Sequence, residues 1–446
     1  MNAARLRTIS KSRRTVEWRA MAFSGTLSRD VKLREVWAWS MYDFANSGYT
    51  TVVITAVFSA YFVSVVSNNA PWGTFAWTAA LSLSYAAILV TGPLVGAWAD
   101  AHAAKKKLLL YTTIGCVLCT ALLAFAGPGA VAVALVFIIL SNYFFGTGEN
   151  LIAAFLPELA DSKAMGRVSG WGWAFGYFGG IVSLGLCLVY IQISQKQGAS
   201  AAHFVPVAML ITAVFFALAS FPTFVFLKER AVPQPHMENP WKRVRQTLQQ
   251  SARYRDLRRF LVCILFYQAG IQTVIALAAI YAEQVMKFTT AETIMLILVV
   301  NFTAATGAFA FGYVQDAIGH VRAVALTLCG WIVMIALAYF SDSKDMFWIA
   351  ANLAGLCMGS AQAAGRALVG YLAPPARLAE FFGLWGLATK AASIFGPLTY
   401  GAVTWIFAGN HRLAILATGA YFVVGLALLF AVNVERGRQA ALAEGT

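Results

Sequence analysis

Apolar runs long enough to cross a bilayer recur down this chain, separated by short polar turns. They fall at 36–64, 75–99, 107–126, 130–155, 169–194, 203–227, 258–284, 291–315, 322–341, 346–370, 380–407 and 412–434. Each reaches the roughly 20 residues that a helix needs to span a hydrocarbon core of about 30 Å. Lipid offers backbone groups no hydrogen-bond partner, and the strict alternation of a membrane barrel is absent, so helices are the spanning form. The pattern predicts an all-α membrane protein of twelve transmembrane helices.

The longest polar interval, KERAVPQPHMENPWKRVRQTLQQSARYRDL at 228–257, follows the sixth run and divides the chain six plus six. This gives a basic tail (1–35), a first six-helix bundle (36–227), a basic linker (228–257), a second six-helix bundle (258–434) and a short tail (435–446). The halves echo each other. After the second run the chain reads GAWADAHAAKKK, with Gly96 four residues before Asp100 and Lys105 and Lys106 beyond. After the eighth it reads GYVQDAIGHVR, with Gly312, Asp316, Gly319 and Arg322. A carboxylate here suits a neighbouring helix N-terminus. The first copy has Ala103 or Ala104 where the second has Gly319, which makes its turn the less defined of the two. Repeated six-helix halves are characteristic of secondary transporters.

Composition agrees with the pattern. The chain is 60% hydrophobic and 12% charged, against about 45–50% and about 25% in soluble domains. The net charge of +14 is one-sided. Lys and Arg crowd the first 35 residues and 228–259, whereas the loops on the other side hold Lys196, Lys287, Lys344 and Arg412. That bias places both termini in the cytoplasm, with the cell (inner) membrane as the expected location. It points to anionic membrane lipid as the partner of the basic segments, and not to nucleic acid. The Cys116–Cys119 pair reads as packing on one helix. No phosphate-binding loop, zinc-protease motif or nucleophile elbow occurs, so the chain is read as no enzyme, with no cofactor and no metal site.

Charges inside spans are costly and need a partner or a task. Asp43, Asn46, Ser47 and Thr50 share one face of the first helix. Glu149 and Asn150 lie near the cytoplasmic end of the fourth, and Gln362 and Arg366 at a similar level of the tenth. Asp43, Glu149 and Arg366 are expected to cluster there, as a structural acid–base network or as a gate or proton site. Lys390 counts to mid-membrane in the eleventh helix and requires an anion, from the protein or from a solute. Gln268 and Gln272 in helix 7 and Asn301 in helix 8 suit hydrogen bonds to a polar solute or between helices. Gly172, Gly176, Gly179 and Gly180 allow another helix to approach closely. Pro93 and Pro397 are expected to bend their helices.

The G-x-x-x-D loops resemble the loop signature of the major facilitator superfamily, in which they act as a cytoplasmic latch. YDFANS (42–47), FLPELA (155–160), RVSGWGWAFGYFGG (167–180), GSAQAAGRAL (359–368) and AEFFGLWGLATKAASIFGP (379–397) resemble its vacuole-effluxer-like family. The resemblance implies a major facilitator fold and amino-acid export. With the mixed charges of the spans, it implies alternating-access transport of a small-molecule solute, a zwitterion or an organic anion, coupled to protons or another ion. The alternative is a non-transporting receptor or scaffold that keeps the fold.

Overall fold

The computed structural model describes residues 30–159, 165–231, 233, 239–374 and 378–443. The apolar runs form long helices: α1 (Leu33–Val66), α2 (Gly73–His102), α3 (Lys105–Leu122), α4 (Val131–Ala153), α5 (Met165–Lys196) and α6 (Ala201–Phe226). They continue as α7 (Arg255–Gln284), α8 (Thr290–Ile318), α9 (His320–Phe340), α10 (Lys344–Leu372), α11 (Leu378–Ile406) and α12 (His411–Leu429). No strand occurs among the described residues. Ten of these helices are long and apolar enough to cross a membrane. The other two, α10 and α11, are as long but are diluted by small and polar residues, including Asn352, Gln362, Arg366 and Lys390.

Local chemistry sets several ends. α8 begins in a capping box, with the Glu292 amide donating to the Thr289 hydroxyl at 3.2 Å and the Thr289 amide donating to the Glu292 carboxylate at 2.7 Å. α12 stops at Leu429, short of the apolar run's end at 434, because the chain turns there and Asn433 caps a new helix, Val434–Leu442. The linker holds a further helix, Pro240–Gln250, opened by proline at its first position. α1 departs most from regular winding. Its segments Thr50–Ala56 and Phe62–Val66 are π-helical. The first begins with six consecutive β-branched residues, Thr50 to Thr55, which are poorer formers of the regular helix.

Helices α1 and α7 are the most buried of the apolar set. α1 packs on α5 and α6, as α7 packs on α11 and α12. α2 and α3 pack on α4, as α8 and α9 pack on α10, and α3 meets α6 as α9 meets α12. Every pair recurs six helices later. Across the middle, α2 lies against α11 and α5 against α8, two contacts that the same shift exchanges. Large apolar side chains such as Leu118, Phe178, Leu218, Phe302 and Phe309 remain exposed on the outer helices, as lipid-facing residues do.

Glycines bring backbones together at the seams. The four α5 glycines meet α1: Gly172 abuts Trp39 and Asp43, Gly176 abuts Ser47, Gly179 touches the Phe44 carbonyl and Gly180 faces Thr51. In the other half Gly396 of α11 meets the Ala269 carbonyl of α7, and Gly359 of α10 meets that of Ala304 in α8. Pro93 and Pro397 lie inside unbroken helices, α2 and α11.

The turn after α8 requires glycine, since Gly319 has φ 86° and ψ 160°, a conformation closed to side-chain-bearing residues. The matching turn after α2 uses Ala103 at φ 46°. The left-handed residue is thus present in both copies, although the first lacks glycine. Gly319→Ala should cost about 1–3 kcal/mol, read as a lower melting temperature of the purified protein in detergent.

Candidate functional site

The first helix is anchored by hydrogen bonds that fix its polar face. Trp39 Nε1 donates to the Ile152 carbonyl of α4 at 2.9 Å, and the Tyr42 and Thr113 hydroxyls pair at 2.9 Å. Tyr49 and Ser141 pair at 2.8 Å, and Asn142 of α4 donates to Ser84 of α2 at 2.8 Å. α1, α2, α3 and α4 are thereby held in register, and this register sets where Asp43 and Glu149 point.

Four charged side chains lie within electrostatic range across α1, α4, α10 and α11. Lys390 Nζ of α11 lies 2.6 Å from Glu149 Oε2 of α4, with the two side chains 20% and 39% exposed. Asp43 of α1 stands within electrostatic range of both Glu149 and Arg366 of α10. Both acids come from the first half and both cations from the second. Aromatic rings flank the cations. Lys390 Nζ is 5.6 Å from the Tyr85 ring centre, and the Arg366 guanidinium is 5.2 Å from that of Trp385. Tyr177 of α5 also lies within range of Arg366.

Of the residues singled out in the sequence, the structure places Asp43 within electrostatic range of Glu149 and Arg366, and Lys390 against Glu149. Residue counting put Lys390 deeper than Glu149; the long lysine stem carries its ammonium to the carboxylate. The amides distribute differently. Asn46 and Gln268 are buried, each with a side-chain oxygen that has no partner, and are thus able to accept a hydrogen bond. Gln272 and Gln362 are half-buried. Asn301 donates to the Ile297 carbonyl of its own helix at 2.9 Å, and exposed Asn150 lies toward Gly92 of α2.

Of the repeated loop, the side chains of Asp100 and Asp316 and the surroundings of Gly312 lie outside the described residues. Gly96 borders open space and Arg322 is exposed. Lys105 pairs with Glu158 at 3.1 Å, and Lys106 Nζ donates to the Leu227 carbonyl at 2.6 Å. The N-terminus of α3 is capped by Glu229, which accepts the Lys105 and Lys106 amides at 2.7 and 3.1 Å. Glu158 sits in the FLPELA stretch noted above, but sequence reasoning gave it no role. Glu229, Tyr85, Trp385 and Tyr177 were also missed, because nothing in their spacing ties them to distant cations.

Solved transporters share this fold. The nucleoside transporter NupG, in its D323A mutant, matches with a TM-score of 0.70 at 14% identity, over 89% of this chain and 99% of that one. A bacterial homologue of the human lysosomal transporter Spinster, inward-facing and unoccupied, matches with a TM-score of 0.68 at 12% identity, over 93% and 99%. At these identities the likeness shows the fold alone, a multi-pass helical one. An uncharacterised MFS-type transporter, YxiO of Bacillus subtilis, is 29% identical over 89% of this chain and 94% of its own. Autophagy-related protein 22-1 of Aspergillus fumigatus is 25% identical over 67% of this chain, which spans about half (54%) of that relative's length. The model of the vacuole effluxer Atg22-like family matches residues 74–442, and the chain belongs to that family.

Proposed function

We propose that this protein is a secondary active transporter that moves a small zwitterionic solute, of the amino-acid class, by alternating access. Two bundles, 36–227 and 258–434, each of six spans, rock about the seam between them, joined by the 228–257 linker, with both termini in the cytoplasm. The six-helix offset in the packing pairs supports this division. The name of the family model, vacuole effluxer, supports export as the direction.

The observation that carries the reading is the ion pair between Glu149 and Lys390 across the halves. With acids on one bundle and cations on the other, the seam presents opposite charges to a solute lying between them. An ammonium group replaces Lys390 beside Glu149 and Asp43, while a carboxylate takes the freed Lys390 and Arg366. Bound solute then bridges the halves in place of the direct pair. The outer side is closed by contacts that also cross the seam: Gln284 to Asn69 at 2.8 Å, Ser82 to the Ile394 carbonyl at 3.0 Å, and Phe75 stacked on Trp405 at 4.8 Å.

Thermal unfolding of the purified protein against a solute panel tests the class. A ligand that binds only the folded form at 100 times its Kd adds about 2.7 kcal/mol. Neutral amino acids are expected to raise the midpoint, with sugars, nucleosides and organic cations inert. Stabilisation by cations alone overturns the zwitterion reading. No stabilisation by any solute favours a scaffold.

A further inference from the structure

The outer end of the molecule carries a carboxyl group outside the inner charge cluster. Glu283 is the penultimate residue of α7. Glu283 is half-buried and hydrogen-bonds the Thr290 side chain at the start of α8, while its Oε1 is buried without a hydrogen-bond partner. Five other carboxylates in and beside the long helices have cations. Glu149 has Lys390, Asp256 has Arg436, Glu35 has Arg230, Glu292 has Lys344 and Asp342 has Arg412.

Among the described residues, the cations in the outer halves of the helices packed on α7 are held by other carboxylates. α1 carries no charged residue after Asp43, only Tyr49 and Tyr61. α8 brings Glu292, already held by Lys344 of α10 at 2.8 Å, and α10 also brings Asp345. Beyond Lys390, α11 brings Tyr400, bonded to His411 of α12 at 3.0 Å. Arg412 is committed to Asp342 and to the carbonyls of Tyr339 and Ser341. Lys287 is exposed on the loop. Tyr61 and Thr293, on elements packed against α7, are further buried hydroxyls without a partner.

An ionised carboxylate is disfavoured where one oxygen is buried without a partner and no cation pairs with it, whereas a neutral carboxylic acid is tolerated. A metal cation needs several oxygens, and no cluster of metal-binding side chains occurs among the described residues. The next residue, Gln284, makes the clasp to Asn69 that joins the two halves at the outer mouth. We propose that Glu283 is a proton-binding site. It holds a proton while the outer mouth is closed, as here, and releases it when the clasp opens and water reaches it. Its place in a transport cycle rests on the alternating-access reading; the proton-linked opening does not.

Spin labels at Pro71→Cys and Phe407→Cys, exposed positions on opposite halves of the outer end, report the mouth by their distance distribution. The exposed Cys329 is replaced by serine in this background. Moving from mildly acidic to mildly alkaline buffer should lower the closed-to-open ratio about threefold or more. Glu283→Gln, a neutral mimic of the protonated acid, should stay closed throughout. The same pH response in Glu283→Gln, or none in the parent, overturns the proposal. So does a response to sodium chloride, absent with potassium chloride, at one fixed pH. A pH response lost in Glu283→Gln, together with no solute flux in vesicles, keeps the proton site and removes the transport reading.

Discussion

Replacing Lys390 with alanine lowers solute flux more than tenfold and lowers the melting temperature as well. The substitution leaves Glu149, whose side chain is 39% exposed, without the cation that stands 2.6 Å from it. The energetic cost lies between the limits for surface and buried pairs, about 1–3 kcal/mol. Stability alone cannot separate a structural pair from a functional one, so the double substitution decides. Glu149→Gln with Lys390→Met removes both charges at nearly constant volume and should restore most of the melting temperature. If the pair acts on solute, flux stays low in the double variant, because neither an ammonium nor a carboxylate finds its counter-charge. Flux that returns with stability assigns the pair to architecture.

The second large effect is expected from one methyl group. Gly179 of α5 packs so tightly on α1 that a Cβ there would overlap the backbone carbonyl of Phe44. A side chain could rotate away; a carbonyl cannot, so the two helices must separate. Gly179→Ala should therefore cost about 3 kcal/mol or more, the upper end of overpacking, measured as lost folded yield and a lower melting temperature. Gly185→Ala in the same helix is the control. Its Cβ meets nothing within 4 Å, and alanine is the better helix former, so no loss is expected. Equal behaviour of the two variants would contradict the close approach of α1 and α5.

Much of the architecture was readable before any coordinates. Apolar length locates membrane helices because the bilayer imposes it, and the repeated G-x-x-x-D loop carries in the chain the same six-helix offset as the packing pairs. Glycine spacing indicated that α5 packs closely, but not on what, since the partner lies more than a hundred residues away. The four charges of the seam were singled out because each is expensive in lipid. Their pairing was not readable. Glu149 and Lys390 are 241 residues apart, and helical rise fixes the level of a backbone, not the reach of a lysine stem. The winding of α1 was hidden for another reason. Hydropathy along Thr50–Ala56 reports length and polarity, and neither marks a change of helical winding. Glu283 stands at a span boundary, where an acid is ordinary; only its buried, unpartnered Oε1 sets it apart.

The most direct test of the account is counterflow in proteoliposomes. Vesicles holding purified protein are loaded with an unlabelled neutral amino acid and diluted into a trace of the labelled one. A carrier that alternates about the Glu149–Lys390 seam predicts transient uptake of label above equilibrium, abolished by Lys390→Ala. Label that never rises above the protein-free leak, with any solute that stabilises the protein, would contradict it.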